Sequence, residues 1–217
     1  MPHSNNHKTR TIIPMKPLSE AKSRLKENVD AMSRQAAILM MLNKVINTVK
    51  QYGKTDCIVL GGDEFIKKLA SLHDVNWSPD PYPNTGLNDC LWETMLKSHR
   101  SGSEATLFLP GDLPLIEKSD IDEIFRASNS LKKTVIARAD KDGGTNAILQ
   151  PACQAFKPML GYQSFSKHKN LFLNNSIPLS IIDTAGLKFD LDNDADYNWA
   201  VENVNEFKKY LDIRKGT

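Results

Sequence analysis

The stretch Leu107-Phe-Leu-Pro-Gly-Asp112-Leu-Pro-Leu115 decides the fold. Residues 105–109 form an apolar run, the pattern of a strand buried on both faces of a parallel sheet. Pro110 and Gly111 stop it, one carboxylate follows at once, and Pro114 blocks any continuation of the strand. In an open α/β sheet, ligands bind just outside the carboxyl ends of the strands. Asp112 therefore stands where it can hold a metal ion or a ligand hydroxyl. The same residues also suit a plain turn ahead of a helix that begins near Ser119.

Upstream, residues 9–13 read as a first strand, ended by Pro14-Met-Lys-Pro-Leu18. Residues 33–52 predict a helix: Ala37, Met41, Val45 and Val49 recur at helical spacing, with Ile38, Leu42 and Ile46 on the same broad face and Gly53 as the stop. A second buried strand is expected over 55–60, ending at Gly61-Gly62. A helix over 64–72 and a strand near 75–77 follow. Asn88 is a candidate N-cap for a helix running to about His99, and Ser119 with Asp122 resembles a capping box. This β-α alternation implies right-handed crossovers and a mainly parallel sheet. Downstream the pattern loosens. Strands are expected over 134–139, 147–150, 177–182 and 187–191, with a helix after Gly161-Tyr-Gln-Ser164 and a last helix over 195–211 whose N-cap is Asp194. Residues 1–8 read as a tail and 9–217 as a single α/β domain of Rossmann-like architecture with a mostly parallel mixed sheet.

The composition bounds the function. The chain has 217 residues, 25% charged and 40% hydrophobic, with a formal net charge of +2. It carries no dense basic block, which disfavours nucleic acid as a partner. No apolar run approaches the ~20 residues of a membrane span. The polar N-terminus lacks the core of a signal peptide, and Cys57, Cys90 and Cys153 form no Cys-x-x-Cys pair. A reducing, cytoplasmic setting is expected, with Cys57 a small buried hydrophobe.

Four groups of residues carry chemistry. Lys16, Lys22 and Arg24 crowd the turn after the first strand, where an Arg fork and Lys point charges suit a polyphosphate. A solvated basic turn is the plainer reading, and no P-loop pattern is present. Asp190 and Asp192, read as alternating along a strand, put two carboxylates on one side, a repulsive arrangement unless a cation lies between them. Oxygen ligands favour Mg²⁺ or Mn²⁺. Asp142-Gly-Gly-Thr145-Asn146 with Gly161 and Ser164 offers amide and hydroxyl donors to a phosphate or carboxylate, and His168 lies one helical turn beyond Ser164. Asn84-Thr-Gly86-Leu-Asn88 could present donors to a purine edge. Cations for a polyphosphate, carboxylates for a divalent metal and a second anion pocket are the equipment of nucleotidyl transfer.

Taken together, Ile13-Pro-Met-Lys-Pro-Leu18, Ala21-Lys-Ser-Arg-Leu25, Gly86-Leu-Asn88, Gly111-Asp-Leu-Pro114, Asp142-Gly-Gly-Thr-Asn146, Gly161-x-x-Ser164-Phe-x-x-His168 and Phe189-Asp-Leu-Asp192 resemble the 2-phospho-L-lactate guanylyltransferase family of coenzyme F-420 biosynthesis. The resemblance implies a nucleotidyltransferase fold of the glycosyltransferase-A type, GTP and Mg²⁺ (or Mn²⁺), and a homodimer. It implies Asp112, Asp190 and Asp192 as metal ligands. Lys22 and Arg24 become catalytic triphosphate contacts beside Pro14 and Lys16, with Gly86 and Asn88 toward the nucleotide. Thr145, Gly161 and Ser164 become the acceptor pocket. The implied acceptors are 2-phospho-L-lactate, phosphoenolpyruvate and 3-phospho-D-glycerate. Gly111 stands where Ala is more usual, and Asp192 is followed by Asn-Asp rather than Thr-Pro. Transfer to a sugar phosphate or pterin cofactor, sugar transfer from a nucleotide sugar, and a non-catalytic nucleotide-binding protein of the same fold are the alternatives.

Overall fold

The computed structural model describes residues 8–22, 25, 29–83, 85–205 and 207. Seven strands form one sheet in the order β3-β2-β1-β4-β6-β5-β7. The first, β1 (Thr9–Met15), lies inside the sheet between β2 (Asp56–Gly61) and the central β4 (Ala105–Phe108), parallel to both. On the β2 side, β3 (Asn76–Ser78) extends the parallel run. On the other side β6 (Thr145–Pro151) runs antiparallel to both β4 and β5 (Thr134–Arg138), and β7 (Leu179–Ile182) closes the edge parallel to β5. The sheet is mixed but mostly parallel, as its sequence pattern predicts.

Successive side chains of a strand face opposite ways, and both faces of this sheet are covered. Ile13 packs under α1 (Ala31–Tyr52), α2 (Glu64–Leu72) and α4 (Lys118–Ala127), within a cluster that includes Leu42, Ile66 and Ile121. Its neighbour Ile12 faces α3 (Leu87–Arg100) and α5 (Ser164–Asn174), with Leu91, Met95 and Phe172. A third cluster joins the outer side of α1 to Leu191 and to α7 (Asp194–Asn203). Among the described residues no helix is long and apolar enough to cross a membrane.

Four local expectations are corrected. Residues 187–191 are no strand. Thr184 opens a one-turn helix, α6 (Ala185–Lys188). The backbone here bonds irregularly: Asn146 takes the Leu187 carbonyl at 2.9 Å, Asp140 N–H takes that of Lys188 at 3.1 Å, and Leu191 N–H donates to the Asp112 carbonyl at 3.3 Å. Asn88 does not cap α3, which starts after Gly86. Its amide instead clamps the Leu160 backbone, donating to the carbonyl (3.2 Å) and accepting from the N–H (2.8 Å). The box at α4 is made by Glu117 and Asp120, not Ser119 and Asp122. At α7, Asn193 rather than Asp194 is the N-cap, paired reciprocally with Asp196. The helix expected to reach 211 is described as far as Asn203, and residues 206 and 208–217 lie outside the described part.

Candidate active site

Strand order puts the site in place. The chain leaves β1 toward β2 on one side, while β4 lies on the other. The crevice at their carboxyl ends is thus the topological switch point where open α/β sheets bind ligands. A cleft of about 770 Å³ opens there, walled by Pro14, Met15 and Lys16 from the end of β1 and by Pro110, Gly111 and Asp112 from the end of β4. Lys22, Lys141, Asp142, Gly161, Tyr162 and Asp192 complete its polar side. At Gly111 the chain passes close to the Met15 side chain, so a Cβ there would oblige the Met15 sulfur to move. The loop after β1 is tied down at Leu18, whose N–H donates to Asp63 Oδ2 at 2.7 Å. The other oxygen of that carboxylate caps α2.

Lys22 sits at the centre of the charge arrangement. It adopts a left-handed backbone (φ 52°), uncommon for a residue with a side chain and a mark of sites where structure over-determines the chain. Its ammonium donates to Asp112 Oδ2 and, at 2.7 Å, to Asp192 Oδ1. Burial by itself would lower the Lys22 pKa, but Asp112 and Asp192 outweigh it, and the net shift is upward. Asp190 shares this field. Burial first, then the neighbouring charges of Asp112 and Asp192, push its carboxyl up to about 7, against the opposing pull of Lys22. The segment is braced from behind by Asp196, whose buried carboxylate accepts from the N–H groups of Asp192 (2.8 Å) and Asn193 (3.1 Å) and pairs with Lys141. Lys141 also lies 4.4 Å over the Phe189 ring. Nothing in the local sequence announces this Lys141–Asp196 brace, because its halves are far apart in the chain.

As they stand, no three His, Cys, Asp or Glu side chains among the described residues are gathered into a metal cluster. The donor set nevertheless suits a hard divalent cation. The groups are all carboxylates, a cation already bridges two of them, and Asp112 Oδ1 is buried without a hydrogen-bond partner among the described residues.

Of the other site residues, Pro14, Lys16 and Gly161 line the cleft. Arg24 and Asn84 lie outside the described residues. Gly86 is exposed, and both ends of the Asn88 amide are occupied by Leu160. Thr145 and Ser164 are buried rather than open to the cleft. Ser164 Oγ donates to Thr145 Oγ1 at 3.0 Å, and His168 Nδ1 lies 3.0 Å from the same oxygen. His168 is fully buried, and burial above all, with Lys167, pulls its pKa down to about 4.

A histidine held neutral in the fold and free to protonate when unfolded costs stability as pH falls. The folded pKa lies below the ordinary 6.5, so the unfolded chain binds the extra proton, and stability drops from pH 6.5 down to 4. The loss is about 2 kcal/mol by pH 5. Denaturant melts of the wild type and of His168→Asn across this range check it: the variant lacks that one-proton slope.

A three-layer α/β domain with cations and carboxylates converging at this switch point has the fold of the nucleotidyltransferases. A nucleotidyl transferase from Methanothermobacter thermautotroptrophicus superposes with a TM-score of 0.65 at 14% identity, covering 93% of this chain and 98% of that one. A Mycobacterium tuberculosis H37Rv protein solved in complex with manganese superposes with a TM-score of 0.55 at 12% identity, covering 90% and 98%. Residues 9–209 match the family described as "Guanylyl transferase CofC like", and the chain belongs to that family. It is similar to a phosphoenolpyruvate guanylyltransferase from Rubrobacter xylanophilus, 30% identical over 85% of this chain and 89% of the relative. It also resembles a 2-phospho-L-lactate guanylyltransferase from Methanosphaera stadtmanae, 24% identical over 86% and 80%.

Proposed function

We propose that this protein transfers the guanylyl group of GTP to the phosphate of a small phospho-carboxylic acid and releases pyrophosphate, as a step of coenzyme F-420 biosynthesis. Phosphoenolpyruvate is the first acceptor to try, since the relative of higher identity bears its name, with 2-phospho-L-lactate and 3-phospho-D-glycerate next. The observation that carries the reading is Lys22 between Asp112 and Asp192 in a cleft of nucleotide size at the β1/β4 switch point.

An oxygen of the acceptor phosphate attacks the α-phosphorus of GTP. The new P–O bond forms as the bond to the bridging oxygen of pyrophosphate breaks, and that oxygen leaves with the electron pair. The acceptor phosphate is already ionised near pH 7, so no general base is needed. Lys16 at the mouth and Lys22 within the cleft supply positive charge to the triphosphate, and Lys22 can turn from the carboxylates to the leaving pyrophosphate. Arg24 joins them on the sequence reading. Asp112, Asp190 and Asp192 would hold Mg²⁺ or Mn²⁺, which when bound neutralises the crowded phosphates. Of the acceptor residues, Gly161 lines the cleft, and Thr145, buried and backed by Ser164, would reach the acceptor's anionic groups through its own hydroxyl.

Pyrophosphate release decides the matter. The three acceptors are added separately to GTP and Mg²⁺, with ATP and CTP as nucleotide controls and EDTA to remove the cation. Release is expected with GTP and one acceptor only, and to vanish with EDTA. Silence with all three acceptors, from folded protein that binds GTP, would end this reading.

A further inference from the structure

His168 lies outside the cleft, yet both of its ring nitrogens are in use. Met159 N–H donates to Nε2 at 2.9 Å. A backbone amide can only donate, so Nε2 carries no proton, and the neutral ring carries its proton on Nδ1. Nδ1 is 3.0 Å from Thr145 Oγ1, so the ring donates and the hydroxyl oxygen accepts. Ser164 Oγ donates to the same oxygen, also at 3.0 Å. A hydroxyl oxygen has two lone pairs, and both are now taken. What Thr145 has left to offer is its own O–H.

Thr145 opens β6, opposite Arg138 at the carboxyl end of β5, and so lies at the ligand-binding edge of the sheet. Ser164 N–H is fixed on the carbonyl of Gly161, at 3.0 Å, and Gly161 lines the cleft. From this geometry we propose that His168 is a positioning residue of the acceptor site: it sets the polarity of the Thr145 hydroxyl so that the hydroxyl donates to the phosphate or carboxylate of the phospho-acid. The proposal rests on the acceptor-site reading of Thr145, Gly161 and Ser164 given above. Polarity matters because an anion accepts hydrogen bonds and cannot give them. With the opposite tautomer, Thr145 could donate inward to Nδ1 and would turn a lone pair toward the anion. Phe156, edge-on at 5.8 Å, and Phe172, at 6.5 Å, pack against the ring and hold its orientation.

Two amide variants separate polarity from packing. In His168→Gln the side-chain carbonyl can reach the Nε2 position and keep the Met159 bond, but the donor to Thr145 is gone. In His168→Asn the amide sits at the Nδ1 position and restores that donor, while Met159 loses its partner. The expected result is a KM for the acceptor raised about tenfold in His168→Gln, with the KM for GTP unchanged. His168→Asn should recover most of the acceptor affinity while melting at a lower temperature. Equal acceptor KM in two folded variants, or the reverse ranking, overturns the proposal and leaves His168 a core residue. ¹⁵N NMR of histidine-labelled wild-type protein gives a readout independent of the variants' folding: a neutral Nδ1–H ring is expected at pH 7, and an Nε2–H ring overturns the proposal. Wild-type protein that binds GTP but turns over none of the three acceptors removes the acceptor reading, and this inference with it. An active wild type with unaffected variants removes the inference alone.

Discussion

Asp112→Asn is expected to lower pyrophosphate release by about three orders of magnitude while the protein stays folded. The carboxylate stands immediately beyond β4, at the carboxyl edge of the sheet, with Oδ2 on Lys22 and Oδ1 buried without a partner among the described residues. The amide keeps the shape and removes the charge. For a cation that takes its ligands as negative oxygens, this is the damaging part of the change. Stability responds weakly because two effects oppose each other. Lys22 loses one of its two carboxylates, but Asp190 and Asp192 lose a like-charged neighbour. Both effects are screened by partial exposure, so the net change should stay within about 1 kcal/mol. A pyrophosphate assay beside a denaturant melt measures both halves. Activity within tenfold of wild type would return Asp112 to the role of a turn residue.

How legible this site was in the chain depends on the range of the interactions that build it. Local periodicity was a sound guide: the repeat of Ala37, Met41, Val45 and Val49 places α1 within two residues of its observed start, and residues 64–72 match α2 at both ends. The run 105–109 with its Pro-Gly-Asp stop located the centre of the site, because strand termination is a local event. The misreadings share one cause. Phe189-Asp-Leu-Asp192 alternates like a strand, but whether alternation becomes a strand depends on a ladder partner, and Asn146, Asp140 and Asp112 took those backbone groups first. Asn88 looks like a cap until Leu160 claims its amide from 72 residues away. Charge pattern marked Lys22 as a phosphate ligand, but no local signal could show that it bridges carboxylates 90 and 170 residues distant. Thr145 and Ser164, grouped in the sequence as an anion pocket, lie in hydrogen-bond contact with each other. That their hydroxyls are buried against His168 follows from the packing of α5 on the sheet, which spacing does not encode.

Lys22→Met should separate the structural use of that ammonium from its use in chemistry. In the wild type the Lys22 side chain is 12% exposed and stands between Asp112 and Asp192, each about a third exposed or less. Removing it takes away the ammonium that stands between Asp112 and Asp192 and leaves those two carboxylates and Asp190 less compensated. Breaking a buried pair costs several kcal/mol; allowing for the exposure of the partners, about 2 kcal/mol is expected here. The left-handed backbone at this position is kept by Met, so strain does not enter the difference. A divalent cation should offset the loss. In the wild type a metal competes with the Lys22 ammonium for Asp112 Oδ2 and Asp192 Oδ1, whereas in Lys22→Met that competitor is gone. Added Mn²⁺ should therefore raise the melting temperature of the variant more than that of the wild type. Turnover moves the other way. Without a cation to follow the leaving pyrophosphate, release should fall about a hundredfold even at saturating metal. A variant that gains stability with Mn²⁺ yet stays slow places Lys22 in both roles. A variant as stable as wild type without metal, and indifferent to its addition, would mean that the three carboxylates do not act as one site. In that case the drop in turnover would have to be ascribed to the triphosphate contact alone.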